Sequence, residues 1–136
     1  MAAWGAGLFE DDLTTGFIAE IVRPEGMAVL GRALAEARQT SGHLLYEPAI
    51  RALIAAEALA AFGGRPASVL PAELAAWAAH GRAGEVPPAL WPLAAAAVQR
   101  VMEDSEILEL WARSEELGRW IAKVDDLLAR LARGAG

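Results

Sequence analysis

The chain has 136 residues with twelve basic and eighteen acidic side chains, giving a net charge of −6, and it contains no cysteine. The lack of cysteine excludes disulfides, thiolate catalysis and cysteine-based zinc sites. An acidic chain without a Lys/Arg cluster does not predict nucleic-acid binding, which depends on phosphate neutralisation, and a basic protein is the better-matched partner.

The composition predicts an all-α fold in one domain spanning residues 1–136. Roughly a quarter of the residues are alanine, the strongest helix former, and no stretch alternates in the manner of a strand. The longest uncharged stretch, Val86–Val98, contains three prolines and is shorter than the roughly 18 residues that a membrane span needs. Without a recognisable secretory signal either, the expected location is the cytoplasm.

The first unusual stretch, Trp4–Asp12, combines large apolar side chains, two glycines and three acids. Trp4 and Phe9 are costly to leave in water, and acids favour the start of a helix. We therefore expect an N-terminal arm inserted into a helix bundle. An alternative is an acidic cluster that binds a cation or acts as a general base. The candidate site residues here are Trp4, Gly5, Gly7 and Phe9, with Asp11 and Asp12 as candidate metal ligands.

Apolar residues at helical spacing follow along the rest of the chain and predict six or seven short helices. Their expected ranges are about 12–22, 25–39, 48–62, 71–80, 88–104, 106–116 and 117–132. The last two are either one helix or two, because Gly118 is the only break that the pattern offers. The terminal Gly-Ala-Gly is expected to fray.

The third predicted helix is apolar nearly all round, which is typical of a central helix. Glu57 lies on its apolar face, three residues after Ile54. A buried carboxylate is costly unless it finds donors or stays protonated. We expect Glu57 to be a structural residue bonded to an arginine or to loop amides, with a functional carboxylate as the alternative. A more specific hypothesis is that residues 4–7 supply its donors.

Five tryptophans are present, and on apolar helix faces they are usually core residues. The alternative is a ligand pocket lined by Trp4, Trp77 or Trp111. His43 and Glu47 are four residues apart but flank a loop, so a surface or hydrogen-bonded histidine is favoured over a metal site.

A run of acids begins near residue 103 and is interpreted as a solvated helix start, or alternatively as a docking surface for a basic partner. Its members are Glu103, Asp104, Glu106 and Glu109.

Several of these stretches together resemble a known bacterial family, domain of unknown function 4259. The N-terminal Trp-Gly-x-Gly-x-Phe motif at residues 4–9, followed by Asp11 and Asp12, is similar to the opening of that family. Residues 45–48, 55–58 and 104–111, with Trp120 beyond, agree with it. The resemblance implies no accepted reaction, cofactor or catalytic residue.

From these observations we expect a binding or regulatory module without catalysis or cofactor, including an immunity-type protein that neutralises a basic partner. The alternative is a carboxylate-based protein that binds a divalent metal, or a hydrolase, using Asp11, Asp12 and Glu57 with Glu20 as a fourth carboxylate. The sequence does not indicate the oligomeric state.

Overall fold

The computed structural model describes residues 12–135, which form seven α-helices and one 3₁₀ turn at Ala83–Glu85. Within this range there is no β-strand, only an isolated parallel bridge between Leu44 and Ser105. The all-α prediction is confirmed. The helices are α1 Asp12–Ile21, α2 Gly26–Gln39, α3 Tyr46–Phe62, α4 Ala72–Ala78, α5 Leu90–Glu103, α6 Glu106–Ala112 and α7 Leu117–Ala135. The expected N-terminal arm lies outside the described residues.

Helix α3 occupies the centre of the bundle, as its apolar sequence predicts. Twelve of its seventeen residues are buried, and it packs against α2, α5 and α7. Seven of the buried positions are alanines, whose small side chains allow neighbouring helices to approach closely. The hydrophobic core contains residues from all seven described helices. Among the described residues, no helix combines the length and apolar character needed to cross a bilayer.

The loop between α2 and α3 is fastened to the junction of α5 and α6. The Leu44 amide donates to the Asp104 carbonyl at 3.0 Å, and the Glu106 amide donates to the Leu44 carbonyl at 2.8 Å. Ser105 caps α6, because its Oγ accepts from the Leu108 amide at 3.1 Å while donating to the Val101 carbonyl at 2.7 Å. Two segments far apart in sequence are thereby fixed side by side.

Helices α6 and α7 are separate, which agrees with the two-helix alternative, but the C-terminal part differs from the prediction in two details. The break lies at residues 113–116 rather than at Gly118. The Ser114 hydroxyl donates to the Trp111 carbonyl at 2.8 Å and accepts from the Glu116 amide at 3.1 Å, which closes a turn. Helix α7 also continues to Ala135 instead of fraying, because Gly134 packs against the ring of Trp91.

The indole of Trp91 lies between two glycines, Gly134 and Gly63. A Cβ added at Gly63 would lie 2.6 Å from Cη2 of Trp91, closer than real Cβ contacts allow, and one added at Gly134 would overlap the same ring. Trp91 is buried, so its ring has little space into which to move. Both positions therefore favour glycine because of a close approach.

We expect Gly63→Ala to lower the free energy of unfolding by about 1–3 kcal/mol, because the added methyl overpacks the Trp91 ring. Chemical denaturation followed by tryptophan fluorescence measures this change. Gly118→Ala is the control, since an added Cβ there meets no described atom within 4 Å. It should be neutral or stabilising by up to about 1 kcal/mol. Equal effects of the two substitutions would contradict the close approach.

Candidate functional site

Glu57 is fully buried on α3 and forms an ion pair with Arg130 of α7. Its Oε1 accepts from Nη1 of Arg130 at 2.9 Å, and its Oε2 accepts from Nη2 at 3.1 Å. Such bidentate pairs are among the strongest hydrogen-bonded contacts in proteins. The prediction that Glu57 is bonded to an arginine is confirmed. The hypothesis that residues 4–7 supply its donors lies outside the described residues.

Arg130 connects three parts of the structure. Besides Glu57, it donates from Nε to Oδ2 of Asp126 at 2.8 Å and from Nη1 to the Arg65 carbonyl at 3.2 Å. Burial acts against the charge, but the hydrogen bonds and charges of Glu57 and Asp126 outweigh it, so the pKa of Arg130 is raised. The guanidinium stays charged and joins α7 to α3 and to the loop that follows α3.

A cavity of about 620 Å³ lies beside Arg130. Residues 66–68 line one side, and one face of α7 lines the other. Sequence reasoning missed this cavity, although its helical side was recognisable by an i, i+4, i+7, i+11 spacing of charged residues. The α7 residues that line it are Arg119, Ala122, Lys123, Asp126 and Arg130.

A second polar cluster centres on His43 in the α2–α3 loop. Its Nδ1 lies 2.7 Å from Oδ1 of Asp104, and its Nε2 lies 3.3 Å from Oε1 of Glu109. The hydrogen bond to Asp104 is the main cause that raises the pKa of His43. Desolvation acts in the opposite direction, while the charges of Glu109, Asp104 and Glu106 add to the rise. Two carboxylates facing the two ring nitrogens favour the imidazolium form.

Two further residues hold this cluster in place. Arg100 donates to the carbonyls of Thr40, Gly42 and Asp104. Glu106 accepts from the Tyr46 amide at 2.8 Å and so satisfies a free amide at the start of α3. Glu106 and Glu109 lie in the first turn of α6, as the interpretation of these acids as a helix start predicts, and Glu106 also serves the first turn of α3.

We define the acidic junction as the surface formed by the α2–α3 loop and the α5–α6 junction. Its members are His43, Leu45, Arg100, Glu103, Asp104, Glu106, Glu109 and Leu110. Glu103, Asp104 and Glu109 are exposed. Leu45 and Leu110 are 62% and 48% exposed, which is unusual for side chains of their size in this structure. The acidic junction therefore combines negative charge with exposed apolar groups.

The described tryptophans among the predicted site residues pack against other aromatic rings. Trp111 is buried and stacks on Trp120, with ring centroids 6.0 Å apart and planes inclined by 11°. Trp77 is half-buried and tilts against Phe62 at a centroid distance of 5.0 Å. These contacts fit the interpretation of tryptophans as core residues. Trp4, Gly5, Gly7 and Phe9 lie outside the described residues.

The candidate metal ligands are not assembled into a site within the range 12–135. Asp12 is exposed at the start of α1, Glu20 is exposed on the same helix, and Asp11 is not described. Both oxygens of Glu57 accept from Arg130, so metal ligation would have to break that pair. In this part of the chain no group of three or more His, Cys, Asp or Glu side chains is arranged to hold a metal ion.

The family resemblance is confirmed by comparison with known families. The family model described as "Domain of unknown function (DUF4259)" matches residues 2–123. The chain belongs to this family. The match includes Glu57 and the acidic junction and ends at Lys123, before Asp126 and Arg130. No curated protein and no solved structure matches the chain.

We expect Arg130→Met to lower the free energy of unfolding by about 3–5 kcal/mol, because it leaves the Glu57 carboxylate buried without its cation. Combining it with Glu57→Leu should restore most of the lost stability, since both buried charges of residues 12–135 are then removed. Chemical denaturation measures both variants. Arg133→Met, an exposed change on the same helix, should stay within about 0.5 kcal/mol of the parent. A double variant as unstable as Arg130→Met would contradict the ion-pair account.

We expect the contribution of His43 to stability to depend on pH. Because its folded pKa is raised, the contribution is fully present below the unfolded pKa of about 6.5 and is lost as the pH rises through the folded pKa. His43→Gln should therefore lower the thermal midpoint more at about pH 5.5 than at about pH 8.5. His80→Gln, which removes the other histidine, is the control. A decrease in the thermal midpoint that is equal at both pH values, or larger at about pH 8.5, would contradict this pH dependence.

Proposed function

We propose that this protein is a binding module that acts without catalysis on a protein partner with a basic surface. The observation that carries the proposal is the acidic junction, where exposed carboxylates and two exposed leucines lie on two segments joined by backbone hydrogen bonds. Four acids lie there, and Arg100 and His43 are the basic groups of the same surface. The surface is therefore negative whether His43 is charged or neutral, and complementary charge guides association and selects partners.

The exposed leucines distinguish this surface from a merely solvated helix start. Leu45 follows the residue whose backbone forms the bridge to Ser105, and Leu110 follows Glu109, which faces His43. Exposed apolar groups rimmed by polar ones are typical of protein–protein contact surfaces. The acidic junction thus offers both the charge that guides a partner and the apolar area that holds it.

The rigidity of the surface also supports binding. Asp104 and Glu109 are held by His43, Glu106 is held by the Tyr46 amide, and the backbone bridge fixes the two segments. Groups already held in position lose less conformational entropy when a partner binds. A preorganised acidic surface of this kind favours recognition of one basic partner over general adhesion.

The test compares quantitative co-purification with the parent chain and with two double variants. Glu103→Lys with Leu110→Lys changes the acidic junction at two exposed positions that hold none of its hydrogen bonds. Glu73→Lys with Glu85→Lys is the control, because both acids are exposed on α4 and on the 3₁₀ turn. We expect a basic partner that is recovered with the parent and the control but lost with the junction variant.

The recovered partner is then purified and its affinity is measured directly. The junction variant should bind at least about tenfold more weakly, and added salt should weaken binding to the parent, since screening acts on exposed charges. Recovery of no basic protein that distinguishes the junction variant from the control would overturn the proposal. So would an affinity that the junction substitutions leave unchanged.

A further inference from the structure

The cavity between residues 66–68 and α7 has the size and lining of a small-molecule site. Its volume of about 620 Å³ lies within the usual range of roughly 300–1,000 Å³ for such sites. Pro66 and Ala67 form an apolar wall on one side, while Ala122 and the basic side chains of α7 lie on the other. We propose that this cavity binds a small organic anion, with a phosphate or carboxylate head group on a compact apolar body.

Arg130 is the first group that would contact the head group. Four of its five N–H donors are used by Glu57, Asp126 and the Arg65 carbonyl. The fifth, on Nη2, has no acceptor among residues 12–135. Nε and Nη2 share one edge of the planar guanidinium, and Nε donates to Asp126. The remaining Nη2 hydrogen therefore lies on the same side as Asp126, which also lines the cavity. The guanidinium is about nine-tenths buried and rigidly held.

Lys123 is the second group, and it is the only lysine in the sequence. It lines the cavity, is half-buried, and forms no ion pair with any carboxylate in the described part of the chain. Its ammonium carries a full charge and three donors on a flexible stem. An anionic oxygen in the cavity would therefore gain a partner without displacing an existing ion pair.

Arg119 stands at the mouth of the cavity, one turn before Lys123 on the same face of α7. Its side chain is 77% exposed and pairs with Glu116 at 3.2 Å. In a chain whose net charge is −6, this helix face gathers three cations around one cavity. These side chains offer several donors to an anionic oxygen, and Lys123 is the cation among them without an ion-pair partner in the described residues.

Asp126 limits the charge that the site accepts. It holds Nε of Arg130 and lines the cavity, so it repels an incoming anion. With Glu57 behind Arg130 and Glu116 paired with Arg119, three carboxylates balance the three cations. We therefore expect a head group of low charge and modest affinity, with the apolar wall contributing part of the binding.

The experiment titrates the purified chain at low ionic strength with phenyl phosphate, benzoate and inorganic phosphate, using calorimetry. We expect saturable binding of phenyl phosphate or benzoate, and the comparison of these two identifies the preferred head group. Inorganic phosphate should bind more weakly, because it lacks the apolar body. Equal affinity for inorganic phosphate, or no saturable binding of the two organic anions, would overturn the proposal.

Three variants locate the site. Lys123→Gln should weaken binding about fivefold, and Asp126→Asn should strengthen it about fivefold, since each changes one charge at the cavity. Arg133→Gln removes an exposed charge of the same sign from the same helix outside the cavity, and it should leave the affinity unchanged. If Arg133→Gln and Lys123→Gln weakened anion binding equally, binding would depend on the net charge of the chain alone. That result would reject the cavity as the binding site.

The single lysine provides an independent measurement. Trace acetylation followed by mass spectrometry reports the reactivity of Lys123, with the N-terminal amine as internal reference. A bound anion should slow acetylation of Lys123 at concentrations that match the calorimetric affinity. Unchanged acetylation of Lys123 at saturating ligand would place the ligand elsewhere and overturn the proposal.

Discussion

The architecture depends on a carboxylate buried in the middle of its central helix. Glu57 has no access to water, and a buried charge is destabilising by several kcal/mol unless a partner is present. The partner is Arg130, 73 residues further along the chain, and α7 has to pack across α3 for the two to meet. The pair therefore favours an arrangement of α7 on α3 in which Arg130 reaches the acid.

Close approaches act together with this pair. The alanines of α3 let α2, α5 and α7 come near its backbone, and the ring of Trp91 fits between Gly63 and Gly134. Gly63 ends α3 and Gly134 lies near the end of α7, so the indole of α5 contacts both helices where they terminate. The charge pair selects which helices meet, and these small residues determine how closely they pack.

The sequence was sufficient to predict features that depend on neighbours in the chain. Alanine content and helical spacing predicted the all-α fold, the central third helix and the need of Glu57 for a donor. They could not predict which of eleven arginines meets Glu57, because that depends on how distant helices pack. His43 shows the same limit: its sequence neighbour Glu47 pairs with Arg51, whereas its actual partners lie on the α5–α6 side.

The acidic junction and the cavity beside α7 both arise from polar groups that the fold already uses. At the acidic junction, Glu106 satisfies an amide of α3, and the remaining acids face the solvent. In the cavity, Arg130 neutralises Glu57 through two hydrogen bonds, and one donor remains. A single anionic oxygen cannot replace a bidentate carboxylate that is fully buried, so a ligand at this position adds to the ion pair without competing with it. Binding at the cavity is therefore compatible with the contact that fixes α7 on α3.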